Sequence, residues 1–360
     1  MVEKINQLSN NPEFDLAIIG AGIIGVSAAW YAHKEHPGWR IVILDQSTVS
    51  SGATYYSASL DLPYGHTPLR YQLAGRSREL YSTLRKELPA LPIKDLSLFG
   101  IVQQSKAAEV LSQIVDKNAS ISPEIIPGLL QQYPGLTLPE GATVISGTAS
   151  QAFRNEVATL MAEKLNESGV HILLQSKIIS AKPVDGFYEL LASTGNVITT
   201  KRVIQATGPW MTEDLIAGTT IATGTRIKKI VAFHIHQQPE PSDALFYFFD
   251  DDAFIMPKYE AGYWLFSFKC DHWDVNPDIS SLRIDDADIE KAQGILKKYY
   301  PAFAPLCTEG RVFCDGYTQN GDPVIMHAGN HENYIIAGAG AGSGFRLAPG
   351  IAEIALSFFK

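Results

Sequence analysis

The sequence predicts an α/β fold in which a parallel-sheet domain is interrupted by an inserted α+β domain with a mixed or antiparallel sheet. Two patterns predict the first domain: a strand, helix and strand near the start of the chain, and a strand, glycine-rich turn and helix near its end. Residues 227–270 predict the insertion, because apolar and polar side chains alternate there as in antiparallel strands. We expect the first domain to comprise residues 14–90, 141–220 and 311–360, and the inserted domain to comprise residues 91–140 and 221–310.

The first unit begins with an apolar run at residues 14–19, which predicts a short buried strand. The segment Gly20-Ala21-Gly22-Ile23-Ile24-Gly25 follows, and then an alanine-rich helix is predicted over residues 26–33. Pro37-Gly38 ends this helix, and a second apolar strand over residues 40–44 stops at Asp45. The result is one complete βαβ unit.

The later elements are predicted from periodicity and from turn residues. Residues 47–64 are polar and predicted to be irregular, while residues 90–140 indicate only short strands and helices. Helices are predicted over residues 69–88, 155–168 and 286–300 and from about Pro349, and strands over residues 170–179, 203–207 and 334–337.

Each glycine of the first turn has a physical task in a Rossmann-like nucleotide site. Gly20 permits the tight turn, Gly22 lets a pyrophosphate approach the backbone, and Gly25 allows the helix to pack closely on the strand. The helix N-terminus offers free N–H groups to phosphates. Asp45, 20 residues beyond Gly25, can bind ribose hydroxyls. An ordinary glycine turn is the alternative, but strand, fingerprint, helix, strand and acid stand here in the correct order.

The fingerprint alone does not distinguish FAD from NAD. Three later segments favour FAD, because together they fit one long dinucleotide laid across a sheet: Ser50 to Ala53, Ala206 to Trp210, and the glycine-rich turn from Gly338 to Gly344. Small residues in that last turn would let a flavin ring lie against the backbone, and a helix starting there could stabilise negative charge on the ring. The predicted cofactor contacts are Gly20, Gly22, Ile23, Ile24, Gly25, Asp45, Gln46, Ser51, Gly52, Ala53, Ile178, Ala206, Thr207, Gly208, Trp210, Cys314, Gly342, Ser343, Gly344, Phe345 and Arg346.

Composition excludes several other classes of protein. The net charge of −9 argues against nucleic acid or an anionic membrane as the main partner. No apolar run reaches transmembrane length, and residues 1–10 lack the apolar core of a signal peptide. The three cysteines have no metal-ligand spacing and are too few for a disulfide framework, so we expect no metal and a cytoplasmic protein. The sequence does not predict the oligomeric state.

At this point the chain resembles the D-amino acid oxidase-like (DAO) superfamily of FAD-dependent oxidoreductases, and particularly its sarcosine and glycine oxidase branch. The matching segments are GAGIIG, Asp45, SSGAT, ATGPW and GAGAGSGFRLAPGIAE, in this order over residues 15–358. The resemblance implies a Rossmann-like FAD domain with a mixed-sheet substrate domain. It also implies an enzyme that oxidises a C–N bond of an amine or amino acid to an imine, with dioxygen reoxidising the flavin to give hydrogen peroxide.

The resemblance also suggests catalytic residues. Lys269 corresponds to a family lysine near the flavin that promotes the reaction with oxygen, where a cation stabilises the developing negative charge. A solvent-facing lysine at the end of a strand is the alternative. His272 follows three residues later, whereas the family histidine follows after four, so it is either a substrate contact or an ordinary loop histidine.

Arg346 stands where sarcosine oxidases carry a lysine that contacts the substrate carboxylate. A guanidinium can bind a carboxylate bidentately, which favours an acidic or amino-acid substrate; a structural ion pair is the alternative. Other basic positions of the family are absent, since Ala58 and Asp61 stand at the approximate equivalents, and the expected tyrosine is Phe254. The substrate pocket therefore departs from simple sarcosine or glycine oxidases.

Cys314 raises the question of covalent flavin attachment. Some relatives bind flavin through a cysteine closely followed by Tyr-Thr, and Cys314 precedes Tyr317-Thr318 with one additional residue. A thiolate could attack the flavin methyl group, whereas burial as a small apolar side chain is the commoner outcome for a free cysteine.

Two other functions stay open from sequence alone. The flavoenzyme could oxidise a 2-hydroxy acid or use an acceptor other than oxygen, such as a quinone. Alternatively, the chain could be a non-catalytic flavin-binding subunit, which would explain the absent basic positions.

Overall fold

A computed structural model of the chain describes residues 13–153, 156–219 and 222–359. Residues 1–10, expected to hold no signal peptide, lie outside this part, as does Asn155 of the helix predicted over residues 155–168. The helices are α1 Ile23–Glu35, α2 Ala53–Tyr56, α3 Pro68–Glu87, α4 Ala107–Ser112, α5 Ile126–Gln132, α6 Glu156–Glu167, α7 Asp286–Tyr299 and α8 Gly344–Ser357. The strands are β1 Leu16–Ile19, β2 Ile41–Leu44, β3 Leu60–Asp61, β4 Ile93–Gln103, β5 Ser120–Ile121, β6 Ala142–Ala152, β7 His171–Leu173, β8 Ile178–Val184, β9 Phe187–Ala192, β10 Val197–Thr200, β11 Val203–Gln205, β12 Arg226–Ile235, β13 Leu245–Phe248, β14 Ala253–Lys258, β15 Tyr263–Phe268, β16 Gly310–Tyr317, β17 Val324–Ala328 and β18 His331–Gly338.

The predicted α/β class and its mixed-sheet insertion are confirmed. One sheet has the order β17-β18-β11-β1-β2-β7, and every neighbouring pair in it is parallel except β17 with β18. The central strands β1 and β2 are buried on both faces, which explains why they are continuous apolar runs. Since β2 lies on one side of β1 and β11 on the other, the strand order reverses at β1, where open α/β sheets bind ligands.

A second, larger sheet has the order β16-β12-β15-β14-β13-β4-β6-β3, with β5 on the side of β6. It is antiparallel except where β13 runs parallel to β4. Three of its strands lie in segments that the sequence assigned to the cofactor domain: β3, β6 and all of β16 except Gly310. Pairing explains the difference, because β6 is bonded to β4 from Ile93↔Ala152 to Gln103↔Ala142. Local periodicity does not reveal such long-range pairing.

Several predicted elements were wrong in extent. The single strand predicted over residues 170–179 is divided between β7 and β8, and residues 47–64, predicted to be irregular, contain α2 and β3. Residues 90–140, expected to form only short elements, contain the eleven-residue strand β4. Helix α8 begins at Gly344 rather than near Pro349, which lies inside it. A proline has no N–H, so the carbonyl of Phe345, four residues earlier, loses its helical donor. The Tyr81 hydroxyl donates to that carbonyl at 2.7 Å, which allows the helix to continue through the proline.

Within the described residues, no helix combines the length and the apolar character needed to cross a membrane. Cys270, Cys307 and Cys314 are free and buried.

Candidate functional site

A cavity of about 500 Å³ lies at the carboxyl ends of β1, β2 and β11. This is the position at which the sheet order reverses. More than half of the predicted cofactor contacts line it: Gly20, Gly22, Asp45, Gln46, Ser51, Gly52, Ala53, Ile178, Ala206, Thr207, Gly208 and Trp210. It is also lined by residues that the sequence did not single out, among them Thr54, Gln205 and Asp278. Asp278 belongs to a loop of the inserted region, far from β1 in the sequence. Sequence patterns around β1 therefore could not predict that Asp278 lies at this site.

The glycines at the cavity are required by close backbone contacts. Gly20 has a φ of +110°, and a Cβ there would lie 2.3 Å from the carbonyl oxygen of Ala206. A Cβ on Gly25 would lie 1.9 Å from the carbonyl oxygen of Gly20. At Gly22, the N-cap of α1, no side chain caps the helix, although Thr54 Oγ1 accepts from the Ile23 N–H at 3.0 Å. The start of α1 therefore presents backbone N–H groups beside the cavity, as a pyrophosphate site requires.

Asp45 is held in place by backbone donors. Its carboxylate accepts from the Ala21 N–H at 2.7 Å and from the Ser47 N–H at 2.8 Å. Burial raises the pKa of Asp45 above its ordinary value, and these two hydrogen bonds oppose that rise. A carboxylate has about four acceptor positions, so two remain for ribose hydroxyls.

One orphaned hydroxyl shows that the cavity suits a polar ligand. Thr207 lines the cavity, and its Oγ1 is buried without a hydrogen-bond partner among the described residues. Buried hydroxyls are almost always hydrogen-bonded. The arrangement of glycines, helix N-terminus, acid and free hydroxyl thus fits a dinucleotide.

The second predicted group of cofactor contacts, Gly342 to Arg346, lies at the glycine-rich turn between β18 and α8. The Gly342 N–H donates to Asp315 Oδ2 at 3.0 Å, which joins this turn to β16. Gly342 has a φ of +73°, and a Cβ there would lie 2.8 Å from the Tyr317 hydroxyl. The turn is therefore fixed between β16 and the start of α8.

Arg346 lies in the first turn of α8 and is only 8% exposed. Its Nε has no hydrogen-bond partner, and no carboxylate oxygen of the described residues lies within 4.0 Å of its guanidinium. Burial lowers the pKa of Arg346, while Tyr247, Asp61 and Asp252 oppose that change. The structural ion pair considered from sequence is thus not present within the described part of the chain.

Arg70 is a second buried arginine, which the sequence analysis missed. It is 2% exposed and donates to the Gly321 carbonyl and to Ser343 Oγ, at the N-cap of α8. Its Nε is also without a partner. Burial, and next the charge of Arg346, lower the pKa of Arg70 to about 10. The spacing in the sequence could have identified Arg70. It precedes Leu73 by three residues, so both side chains lie on the buried face of α3.

Lys269 is exposed, and its backbone N–H donates to the Asp252 carbonyl at 3.1 Å. A different lysine is buried nearby. Lys228 is 5% exposed, and its Nζ lies 3.9 Å from the ring centre of Tyr317. Burial lowers the pKa of Lys228, as does the charge of Lys269. The sequence indicates a buried lysine here, because Lys228 and Lys229 are adjacent in an apolar strand and successive side chains of a strand point to opposite faces.

His272 is exposed, and its Nδ1 lies 3.6 Å from Asp285 Oδ2. Ligand atoms of His272, Cys270 and Asp288 come within 4.8 Å of one another. The Asp288 carboxylate already accepts a hydrogen bond from the buried ammonium group of Lys229, so its charge is balanced without a metal ion.

Cys314 is 1% exposed and packs with Ile227 and Leu282. Its thiol contacts the Pro277 carbonyl at 3.8 Å, and burial raises the pKa of the thiol to about 12. The thiolate is the nucleophile that would attack the flavin. A buried thiol with a raised pKa therefore argues against covalent attachment through Cys314.

Aromatic residues of the inserted domain occupy two kinds of environment. Trp264 is 3% exposed and packs against Phe303, so it is core. Tyr247 and Phe254 are half-buried, and their rings stack with centres 6.1 Å apart. The Tyr64 ring centre lies 6.5 Å from that of Tyr247, which extends this aromatic wall.

Comparison with known proteins identifies the class. The model of the DAO family, described as FAD dependent oxidoreductase, matches residues 15–357. Monomeric sarcosine oxidase from Arthrobacter sp. (strain TE1826) is 21% identical over 96% of this chain and 92% of the relative. N-methyl-L-tryptophan oxidase from Yersinia pestis (strain Pestoides F) is 20% identical over 96% and 95%. The structure of L-proline dehydrogenase from P. horikoshii is similar with a TM-score of 0.79, at 19% identity over 96% of this chain and 93% of that one.

The fold and the cavity thus define a flavin-dependent oxidoreductase, an enzyme that uses FAD. The chain belongs to the DAO family of FAD dependent oxidoreductases. The resemblance predicted from the sequence is confirmed.

Proposed function

We propose that this flavoenzyme oxidises the C–N bond of an amino acid or related amine to an imine, with dioxygen as the electron acceptor and hydrogen peroxide as the product. Bound FAD supplies the two-electron acceptor for this reaction. The residues of Gly20 to Gly25, Asp45 and Ala206 to Trp210 would hold its nucleotide portion, and the turn at Gly342 would adjoin its ring.

The buried guanidinium of Arg346 is the observation that carries the proposal. A charged side chain in a protein interior is costly unless it is paired. No carboxylate of the described residues pairs with Arg346, and its Nε is free. The carboxylate of an amino-acid substrate would supply the missing partner through charge-assisted hydrogen bonds. The names of the two relatives, which state sarcosine and N-methyl-L-tryptophan as substrates, agree with an amino acid.

The half-buried aromatic wall of Tyr64, Tyr247 and Phe254 supports a substrate with an apolar portion. One acidic side chain also contacts this region: Asp252 accepts from the Tyr247 hydroxyl at 2.6 Å, and its charge opposes the lowering of the Arg346 pKa. An amine that binds in its uncharged form needs no strong general base, so none is assigned.

For the reaction with oxygen, two lysines are candidates. A cation close to the reacting oxygen stabilises the charge that oxygen gains. Lys269 occupies the position that the family resemblance suggests, whereas Lys228 is buried against Tyr317 and has the lowered pKa that burial imposes. We favour Lys228, because a desolvated cation acts more strongly than an exposed one. K228M should slow reoxidation by oxygen at least tenfold and K269M less; the reverse result would return the role to Lys269.

The function is tested by mixing the holoenzyme anaerobically with amines, amino acids and 2-hydroxy acids and recording loss of the flavin absorbance. Bleaching by amino acids, with an apparent Kd raised at least tenfold in R346Q, would support the proposal. R76Q is the matched control, because Arg76 is an exposed arginine paired with Glu353.

Bleaching by hydroxy acids alone would instead support oxidation of a C–O bond, and bleaching by no compound would favour a non-catalytic subunit. Bleaching by amino acids followed by slow reoxidation in air would indicate a dehydrogenase with another acceptor.

For the cellular compartment we propose the cytoplasm, and the three free cysteines support this proposal.

A further inference from the structure

Two guanidinium groups are buried at the start of α8. Arg346 lies in its first turn, and Arg70 reaches from α3 to the N-cap residue Ser343. They are 8% and 2% exposed, respectively. The charge of Arg346 lies close enough to Arg70 to lower the pKa of Arg70. The N-terminus of α8 adds a partial positive charge at the same place.

Neither buried guanidinium forms a direct ion pair in the described part of the chain. The acidic side chains that act on them do so from more than 4.0 Å: Asp322 and Asp315 on Arg70, and Asp61 and Asp252 on Arg346. Like charges buried together destabilise the fold unless an anion compensates them. One substrate carboxylate at Arg346 would compensate only one of the two.

Arg70 has donors to spare for a ligand. A guanidinium carries five N–H donors, and the bonds to Gly321 and Ser343 use two of them. These bonds also fix the plane of the guanidinium, so a ligand would meet a preorganised donor group. The Nε, buried and unpartnered, is one of the free donors.

We propose that Arg70 forms a second anion-binding position beside Arg346, and that the substrate is therefore an amino acid with two acidic groups. This inference rests on the proposed function, in which Arg346 holds the first carboxylate. In it, Arg70 binds the second acidic group and selects dicarboxylic over monocarboxylic substrates.

Binding of acids without a nitrogen atom tests the inference apart from turnover. The holoenzyme is titrated with malonate, succinate and glutarate and with the monocarboxylates of the same carbon number, at constant ionic strength, while the flavin spectrum is recorded. At least one dicarboxylate should bind at least tenfold more tightly than its matched monocarboxylate. R70Q should remove this preference, and R76Q on the same helix should behave as the wild type.

Because Arg70 also holds Ser343 and Gly321, R70K is a second variant that keeps the charge; it should retain part of the preference. Equal or weaker binding of every dicarboxylate by the wild-type protein would overturn the inference. If monocarboxylate binding is then still lost in R346Q, the proposed function survives without it. If R346Q binds monocarboxylates as the wild type does, the proposed role of Arg346 is wrong as well.

Discussion

Replacing Asp61 with asparagine should stabilise the protein at neutral and alkaline pH. Asp61 is 5% exposed in β3; its Oδ2 lies 3.7 Å from Arg78, and its Oδ1 is buried without a partner. Burial raises the pKa of Asp61 from 3.8 to about 6, although Arg78 and Arg346 oppose the rise. The folded protein therefore binds this proton more tightly than the unfolded chain does.

The sign and the size follow from linkage. A raised carboxyl pKa contributes stability that is complete below about pH 4 and is lost as the pH rises through about 6. At 1.36 kcal/mol for each pKa unit, the rise from 3.8 to about 6 corresponds to ~3 kcal/mol. Asparagine mimics the protonated carboxyl, so D61N should gain up to ~3 kcal/mol over the wild type at pH 8 and little at pH 4.

The assay is urea unfolding of the holoenzyme and of D61N at several pH values from 4 to 8, with the difference in unfolding free energy plotted against pH. D274N is the control: it removes an exposed carboxylate that is paired with Arg226 and is not among the charges that act on Asp61. Such surface pairs contribute little to stability. A difference for D61N that does not change with pH, or a D61N protein less stable at pH 8, would refute the reasoning.

Three further results are expected. G25A should lose FAD during purification, because its Cβ would lie 1.9 Å from the Gly20 carbonyl; retained stoichiometric FAD would contradict this. Y81F should lower the free energy of unfolding by about 1–3 kcal/mol, measured in urea, since it leaves the buried Phe345 carbonyl without a donor; unchanged stability would mean that another donor replaces the hydroxyl. Acid precipitation should release all flavin into the supernatant from the wild type and from C314S alike, because the buried thiol has a raised pKa; flavin retained only by the wild type would establish covalent attachment.

The nucleotide-binding unit could be predicted from sequence because its determinants are local. Gly20, Gly25 and Asp45 lie within one βαβ unit, and the structure places the backbone contacts of all three around β1. Strands β1 and β2 are apolar throughout, so their ends could be predicted to within two residues.

The boundaries of the two sheets could not be predicted in the same way. The sequence of β6 alone does not show to which sheet the strand belongs, because its partner β4 lies about forty residues away in the chain. The start of α8 was misjudged for a related reason. Proline normally ends a helix, and only a hydroxyl from α3, far away in sequence, makes Pro349 acceptable within α8.

The substrate region shows most clearly why matching positions along a sequence is insufficient. According to the family resemblance, Asp61 stands approximately where relatives carry a basic residue. This position alone suggests that the site has lost a positive charge. In the structure, Arg70 supplies a buried positive charge from α3 instead, and its bond to Ser343 carries that charge to the start of α8. Asp61 and Arg70 thus set the charge around Arg346 together, through contacts in space that the order of residues along the chain does not reveal.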